Sequence, residues 1–276
     1  MIIAPKIAAD CQDVPKLIVP YMNDAVEFHL TSFTQGETNW RAIVEKYGLK
    51  HVTLHTPFGA HNIEERVLST SLYDATLNYL LRQKQYAEEL GITVCVLFHV
   101  SYTLESIINL RVADGINALM ASVGESPSLL LLLENTVASL DMGPAGGYKE
   151  PLSYILKETD AAQVRMCFDL CHYQASKNVL LEEYTFPANW RDRIYQVHFS
   201  DTKYNEGYRH IAATHGKAHD SMWDVARDLC TLRSLGIDVR NTIIITEMSE
   251  DDYSARNLEA RELGWLHQIG EQGLTF

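Results

Sequence analysis

The chain has no CxxC pair, and its five cysteines (Cys11, Cys95, Cys167, Cys171 and Cys230) are odd in number. Several lie in or beside apolar runs, so they read as buried, reduced thiols of a cytoplasmic protein, and the missing CxxC pair counts against a thiolate zinc site. No apolar stretch reaches the roughly 20 residues that a bilayer-crossing helix needs. The N-terminal MIIAPKIAAD lacks a basic region followed by a long apolar one, so no signal peptide is expected. Basic residues are not in excess. The 23 Lys and Arg stand against 36 Asp and Glu, for a formal charge of −13. That balance counts against a non-specific nucleic-acid binder, although bound divalent ions would add positive charge where a phosphate must sit. The sequence also shows no internal repeat, low-complexity tract or linker.

What the chain does have is 46% hydrophobic residues arranged in short runs. Eight of them read as buried parallel strands, rich in Val, Ile and Leu and too short for helices: Ile2–Ala8, Ala25–Leu30, His51–His55, Thr93–His99, Leu129–Glu134, Val164–Asp169, Tyr195–Ser200 and Thr242–Glu247. Amphipathic stretches alternate with them. These are Asn39–Tyr47, Thr70–Leu90 (closed by Gly91), Leu104–Val123, Pro151–Thr159, Ser221–Leu235 (closed by Gly236) and Ala255–Gly270. Tyr173–Trp190 and Asp201–Asp220 read as long loops. Eight strand–helix units in about 250 residues predict a (β/α)8 TIM barrel, one domain over residues 1–276. An open doubly wound sheet is the competitor. It normally carries a Gly-rich phosphate turn after its first strand, and none is present.

Six of these runs end in a residue able to bind a metal: His55, His99, Glu134, Asp169, His198 and Glu247. Taken singly, a strand-end His reads as a hydrogen-bonded core residue, and a strand-end Glu as a cap partner or surface charge. Taken together, six such endings describe a ring at the C-terminal mouth of the barrel, where active sites of this fold lie. Buried carboxylates without partners are costly, and a shared cation is the cheaper explanation. Carboxylates with imidazoles suit zinc first, and also manganese or cobalt. His172, three residues after Asp169, and His210, in the last long loop, extend the set to eight. That number is enough for two or three ions. His29, His51, His61, His215, His219 and His267 read as ordinary histidines, with His215 and His219 placed to touch a substrate.

Several segments resemble the superfamily of endonuclease IV and the xylose isomerase-like barrels. LHTPFGAHN, VLFHVS, LLLLENT, CFDLCH, HFSDTK, RHIAATHG, ITE and FTQGETNWRA each resemble a stretch of that superfamily, and together they cover nearly the whole chain. The resemblance to endonuclease IV implies a trinuclear zinc site and cleavage of DNA at abasic sites. By position, His55, His99, Glu134 and Glu247 would hold one ion. Glu134, Asp169, His198 and Glu247 would hold a second, and His172 with His210 a third. Three positions depart from that pattern. Tyr208 replaces an Asp of the third ion site, Thr38 replaces the Arg that wedges the duplex, and Phe58-Gly59 replaces a Tyr-Leu pair. The isomerase and epimerase branch needs only Glu134, Asp169, His198 and Glu247.

The leading expectation is therefore a metal-dependent phosphoester hydrolase, with two ions generating a hydroxide. Glu134 and Glu247 are its catalytic carboxylates. Arg209, Lys217, Phe58 and His215 are its substrate contacts. The second expectation is a sugar or sugar-phosphate isomerase or epimerase with one ion, whose two glutamates move protons across an enediol. A non-enzymatic binding module is the third. The partner is a phosphorylated or sugar-containing small molecule, or damaged DNA, with neither membrane nor protein partner expected.

Overall fold

The apolar runs form strands covered on both faces, and their alternating side chains serve two different environments. The computed structural model describes residues 1–9, 11, 14–30, 37–57, 62–100, 106–136, 149–160, 162–180, 185–202, 216–248 and 257–272. Its strands are β1 (Ile2–Ala4), β2 (Lys6–Ala8), β3 (Ala25–His29), β4 (His51–His55), β5 (Thr93–His99), β6 (Leu129–Glu134), β7 (Val164–Asp169), β8 (Ile194–Phe199) and β9 (Ile243–Thr246). All pair in parallel, in the order β1-β9-β8-β7-β6-β5-β4-β3-β2. The two ends of that order are halves of one stretch of chain, so the sheet closes into an eight-stranded barrel.

The closure corrects one expectation, because Ile2–Ala8 is not a single strand. Pro5 has no N–H to give a ladder and separates two halves with different neighbours. Ile3 pairs with Ile244 of β9, whereas Ile7 pairs with Phe28 of β3. The stagger that any barrel requires is taken up at this point. The Pro5 carbonyl still accepts from the Glu27 amide at 3.0 Å.

The helices are α1 (Glu37–Tyr47), α2 (Ile63–Leu68), α3 (Thr70–Leu90), α4 (Ser106–Val123), α5 (Lys149–Glu158), α6 (Leu170–Leu180), α7 (Met222–Ser234) and α8 (Asn257–Gln272). Gly91 ends α3 in the left-handed conformation at φ 65°. Two further expectations are corrected here. The short α2 follows Asn62, where no helix was foreseen. Tyr173–Trp190 is not all loop, since α6 runs to Leu180 and a 3-10 helix spans Ala188–Arg193. The outward residues of the strands, such as Val96, Phe98, Leu131, Leu133 and Phe168, pack with the helices in one large core that includes Trp40 and Trp190. The inward residues Cys95, Leu97, Leu130, Leu132 and Cys167 form a separate plug, and Ala4, Ala25, Ile243 and Ile245 another. A register shift between Met166 and Cys167 of β7 leaves Tyr195 of β8 opposite no residue. Tyr195 therefore packs on the plug, while the adjacent Gln196 also bonds inside the barrel. None of the five cysteines forms a disulfide. Among the described residues no helix is long and apolar enough to cross a membrane.

Candidate metal centre

Because strand side chains alternate, the positions two residues beyond Leu97, Leu132, Cys167, Gln196 and Ile245 share their inward face. Those positions are His99, Glu134, Asp169, His198 and Glu247. They form the layer directly above the apolar plug, and all are buried. One ligand atom from each of Glu134, Asp169, His198 and Glu247 lies within 4.8 Å of the others. His198 Nδ1 is 3.5 Å from Glu134 Oε1 and 3.8 Å from Asp169 Oδ2, and it meets Glu247 Oε2 closer still. Yet both Glu134 oxygens, Glu247 Oε2 and His198 Nδ1 have no hydrogen-bond partner among the described residues. Buried carboxylate oxygens left without a hydrogen bond are costly. A divalent cation satisfies all of them at once, so the donor set fits such an ion.

The ligands are held from behind. His198 Nε2 donates to Glu27 Oε2 at 2.8 Å, which holds the ring so that Nδ1 faces the centre. Glu27 also accepts from Gln196 Nε2 at 2.6 Å, and Gln196 Oε1 accepts from the Thr53 hydroxyl at 2.6 Å. Asn135 clasps the β6 and β7 tips. Its Oδ1 accepts from the Asp169 amide at 2.8 Å, and its Nδ2 donates to the Asp169 carbonyl at 2.9 Å. Asp169 Oδ1 accepts from the His172 amide at 2.5 Å, so the same carboxylate caps the first turn of α6.

The electrostatics follow from this crowding. Burial opposes the charge on Glu134 and Glu247. Even so, His99 and His198 beside the first, and His198 and Lys6 beside the second, hold both carboxyls well below the usual range. Asp169 has too little positive charge nearby to offset burial and the other carboxylates, and its pKa rises to about 7. Burial takes His99 down to about 3, leaving it neutral. Burial works against a charge on His172 as well, but Asp169, Glu134 and Glu247 outweigh it and hold that ring up at about 10.

The family model for the xylose isomerase-like TIM barrel matches residues 21–268. The chain belongs to that family. Its fold is also that of a D-tagatose 3-epimerase-like protein (TM-score 0.60, 16% identity, 97% of this chain and 98% of that one). A D-allulose 3-epimerase from Methylomonas sp. is similar as well (TM-score 0.58, 14% identity, 99% and 97%). So is a xylose isomerase-like TIM barrel protein from Mycobacterium smegmatis in complex with magnesium (TM-score 0.52, 13% identity, 96% and 96%). No curated protein matches the sequence.

Within this xylose isomerase-like barrel, the strand-end residues foreseen from sequence converge. His55, His99 and Glu134 form a second close group beside the four-ligand set. His172 stands next to them, with Nδ1 3.4 Å from Glu134 Oε1, but it turns that nitrogen to the Asn135 carbonyl at 2.9 Å and joins none of the close groups. Lys217 is exposed, and its backbone pairs with Asp201. Phe58, Arg209, His210 and His215 lie outside the described residues, as do Tyr208 and the side chain of Thr38. Sequence reasoning missed Lys6 and Glu27. Both are buried on the inner face, where Lys6 Nζ is 2.8 Å from Glu27 Oε1 and also bonds Glu247 Oε1 and His55 Nδ1. The available signal was a charged residue in the middle of each of two apolar runs.

Proposed function

We propose that the protein is a divalent-metal-dependent isomerase or epimerase of a small sugar or sugar phosphate. The observation that carries this reading is the four-ligand set, in which two glutamates from well-separated strands point unpartnered carboxylate oxygens at one centre. A bound ion, with magnesium, manganese, cobalt and zinc as candidates, would polarise the carbonyl and neighbouring hydroxyl of a ketose. Glu134 and Glu247 are both held ionised, the form that accepts a proton. One takes the proton from the carbon beside the carbonyl, and the other, after gaining a proton from solvent, returns it to the opposite face of the enediol while the first gives its proton up to solvent; for an isomerisation the first carboxyl, now protonated, delivers the proton to the adjacent carbon. The plug of Leu97, Leu132 and Cys167 closes the floor beneath them. Sugar substrates appear in the names of the structurally similar epimerases, and that supports the substrate class.

The reading is tested in heavy water with a panel of ketoses and ketose phosphates, each with Mg, Mn, Co or Zn. Proton NMR should find solvent deuterium at the carbon beside the carbonyl, together with the epimer or isomer. Glu134→Gln and Glu247→Gln should each cut this exchange by about 10²–10⁴-fold. Wild-type protein that exchanges no substrate with any ion would overturn the proposal.

The phosphoester hydrolase remains a second reading, because His55, His99 and Glu134 form a further close group next to the first. It requires more than one ion per chain and nicking of abasic-site DNA. The charge of −13 and the substitutions at Thr38 and Phe58-Gly59 weigh against DNA.

A further inference from the structure

Three overlapping groups of carboxylate and imidazole donors meet at the barrel mouth: Glu134–Asp169–His198–Glu247, His55–His99–Glu134 and Glu27–His55–Glu247. From their arrangement around one lysine, we infer that Lys6 is a resident cation that restricts the centre to a single divalent ion. This rests on the metal-dependent reading above and goes beyond it by assigning what sets the ion count.

The third group is already filled. Lys6 is buried, and its ammonium lies among Glu27 Oε1, Glu247 Oε1 and His55 Nδ1. An ammonium has three N–H donors, and here it meets three acceptors, one from the middle of β3, one from the end of β4 and one just past β9. A divalent ion at the same point would have to displace it.

The second group is closed by a consequence of the first contact. An ammonium can only donate, so the His55 nitrogen facing it is an acceptor and the ring proton lies on Nε2. That N–H is turned toward Glu134 Oε2 at 3.4 Å and His99 Nε2 at 3.3 Å. A protonated nitrogen cannot ligate a metal, so the group is left with His99 and Glu134. The four-ligand group keeps its donors. Glu247 gives Oε1 to Lys6 and keeps Oε2 for the centre, where it has no other hydrogen-bond partner among the described residues. The lysine also adds positive charge next to any second ion, and like charges at such a distance repel strongly in a buried site.

The test is ion stoichiometry of the full chain, stripped with a chelator, reconstituted with Mn, Co or Zn and measured by elemental analysis. Wild-type protein should hold one ion per chain, Lys6→Arg should also hold one, and Lys6→Met should take up a second. Two or three ions in the wild type, or a folded Lys6→Met that stays at one, would overturn the inference while leaving metal dependence intact. No ion with any metal would instead overturn the metal-dependent reading, and this inference with it. A second measurement does not depend on a variant folding. In zinc-loaded wild-type protein labelled with ¹⁵N-histidine, His55 should appear as the Nε2–H tautomer with no zinc-bound nitrogen. A zinc-bound His55 would overturn the assignment of Lys6.

Discussion

Glu27 organises the centre from behind, although it is not a member of the four-residue group. It accepts from His198 and Gln196 and pairs with Lys6, so it fixes the ring whose Nδ1 faces the four-residue centre. Burial opposes its charge, yet His198 and Lys6 hold its carboxyl well below the usual range. Glu27→Gln keeps the shape but loses the charge, and its amide can offer a donor where Glu27 only accepts. Ion affinity should fall about 10–100-fold, as for other partners that orient metal-binding histidines, read by competition against a coloured chelator. Unchanged affinity would mean that strand packing alone orients His198. The six strand-end candidates were legible because each stands where an apolar run stops. Lys6 and Glu27 were not, because a strand that ends at Ala8 or His29 hides which interior residue faces inward until its register is known. The pair is made by the register itself, Lys6 opposite Glu27.

For five elements bounded by a chemical signal, sequence and structure coincide. His51–His55, Thr93–His99, Leu129–Glu134, Val164–Asp169 and Thr70–Leu90 hold their foreseen limits, since Gly91 or a ligand residue marks the end. Where the cue is tertiary, they diverge. The helix α6 begins because Asp169 caps it from the polar layer above the plug, and a run such as Gln174–Asn178 carries too little apolar pattern to announce that. The loop read as Asp201–Asp220 has its base fixed by another long-range contact. Asp201 and Lys217 exchange backbone hydrogen bonds of 2.8 and 2.9 Å, which brings Gly216 onto Ser200. A Cβ on Gly216 would overlap the Ser200 side chain, which is itself buried. Gly216→Ala should therefore destabilise the protein by about 1–3 kcal/mol, and for a chain of this size lower the melting temperature by about 2–4 °C per kcal/mol. Adding Ser200→Gly makes room for the new methyl group and should recover most of the loss. A single variant as stable as wild type would show that the β8 tail yields freely.

At the scale of the whole molecule, the alternation of strands and helices made the barrel readable, whereas the pairing of charges at its mouth exists only once the barrel closes. Closure also creates a second buried cluster, outside the mouth, and it shows how the fold supplies its own cations. His219 is fully buried, with Nδ1 2.8 Å from Glu262 of α8, Nε2 3.1 Å from Asp228 of α7 and its ring stacked 5.0 Å from Phe199 of β8. Both ring nitrogens face carboxylates, so the cation that suits Asp201, His219 and Asp228 is the imidazolium itself. Burial works against that charge, but Asp228 and Glu262 overcome it and raise the pKa to about 9, while His219 and Arg227 hold Asp228 below its ordinary value. The folded-state pKa lies above the unfolded value near 6.5. The clamp is therefore at full strength below about pH 6.5 and is lost as pH rises through about 9. Over that interval the linkage amounts to on the order of 3 kcal/mol. The Asp228 side of the same contact fails only in acid, as pH falls through its lowered pKa. Urea unfolding of wild-type protein should show stability declining between pH 6.5 and 9.5. In His219→Gln, which is neutral throughout, the decline should flatten, and the variant should start from a lower stability at pH 6.5. An equally steep decline in both proteins would assign the alkaline loss to other groups and leave His219 as a neutral packing residue between α7 and α8.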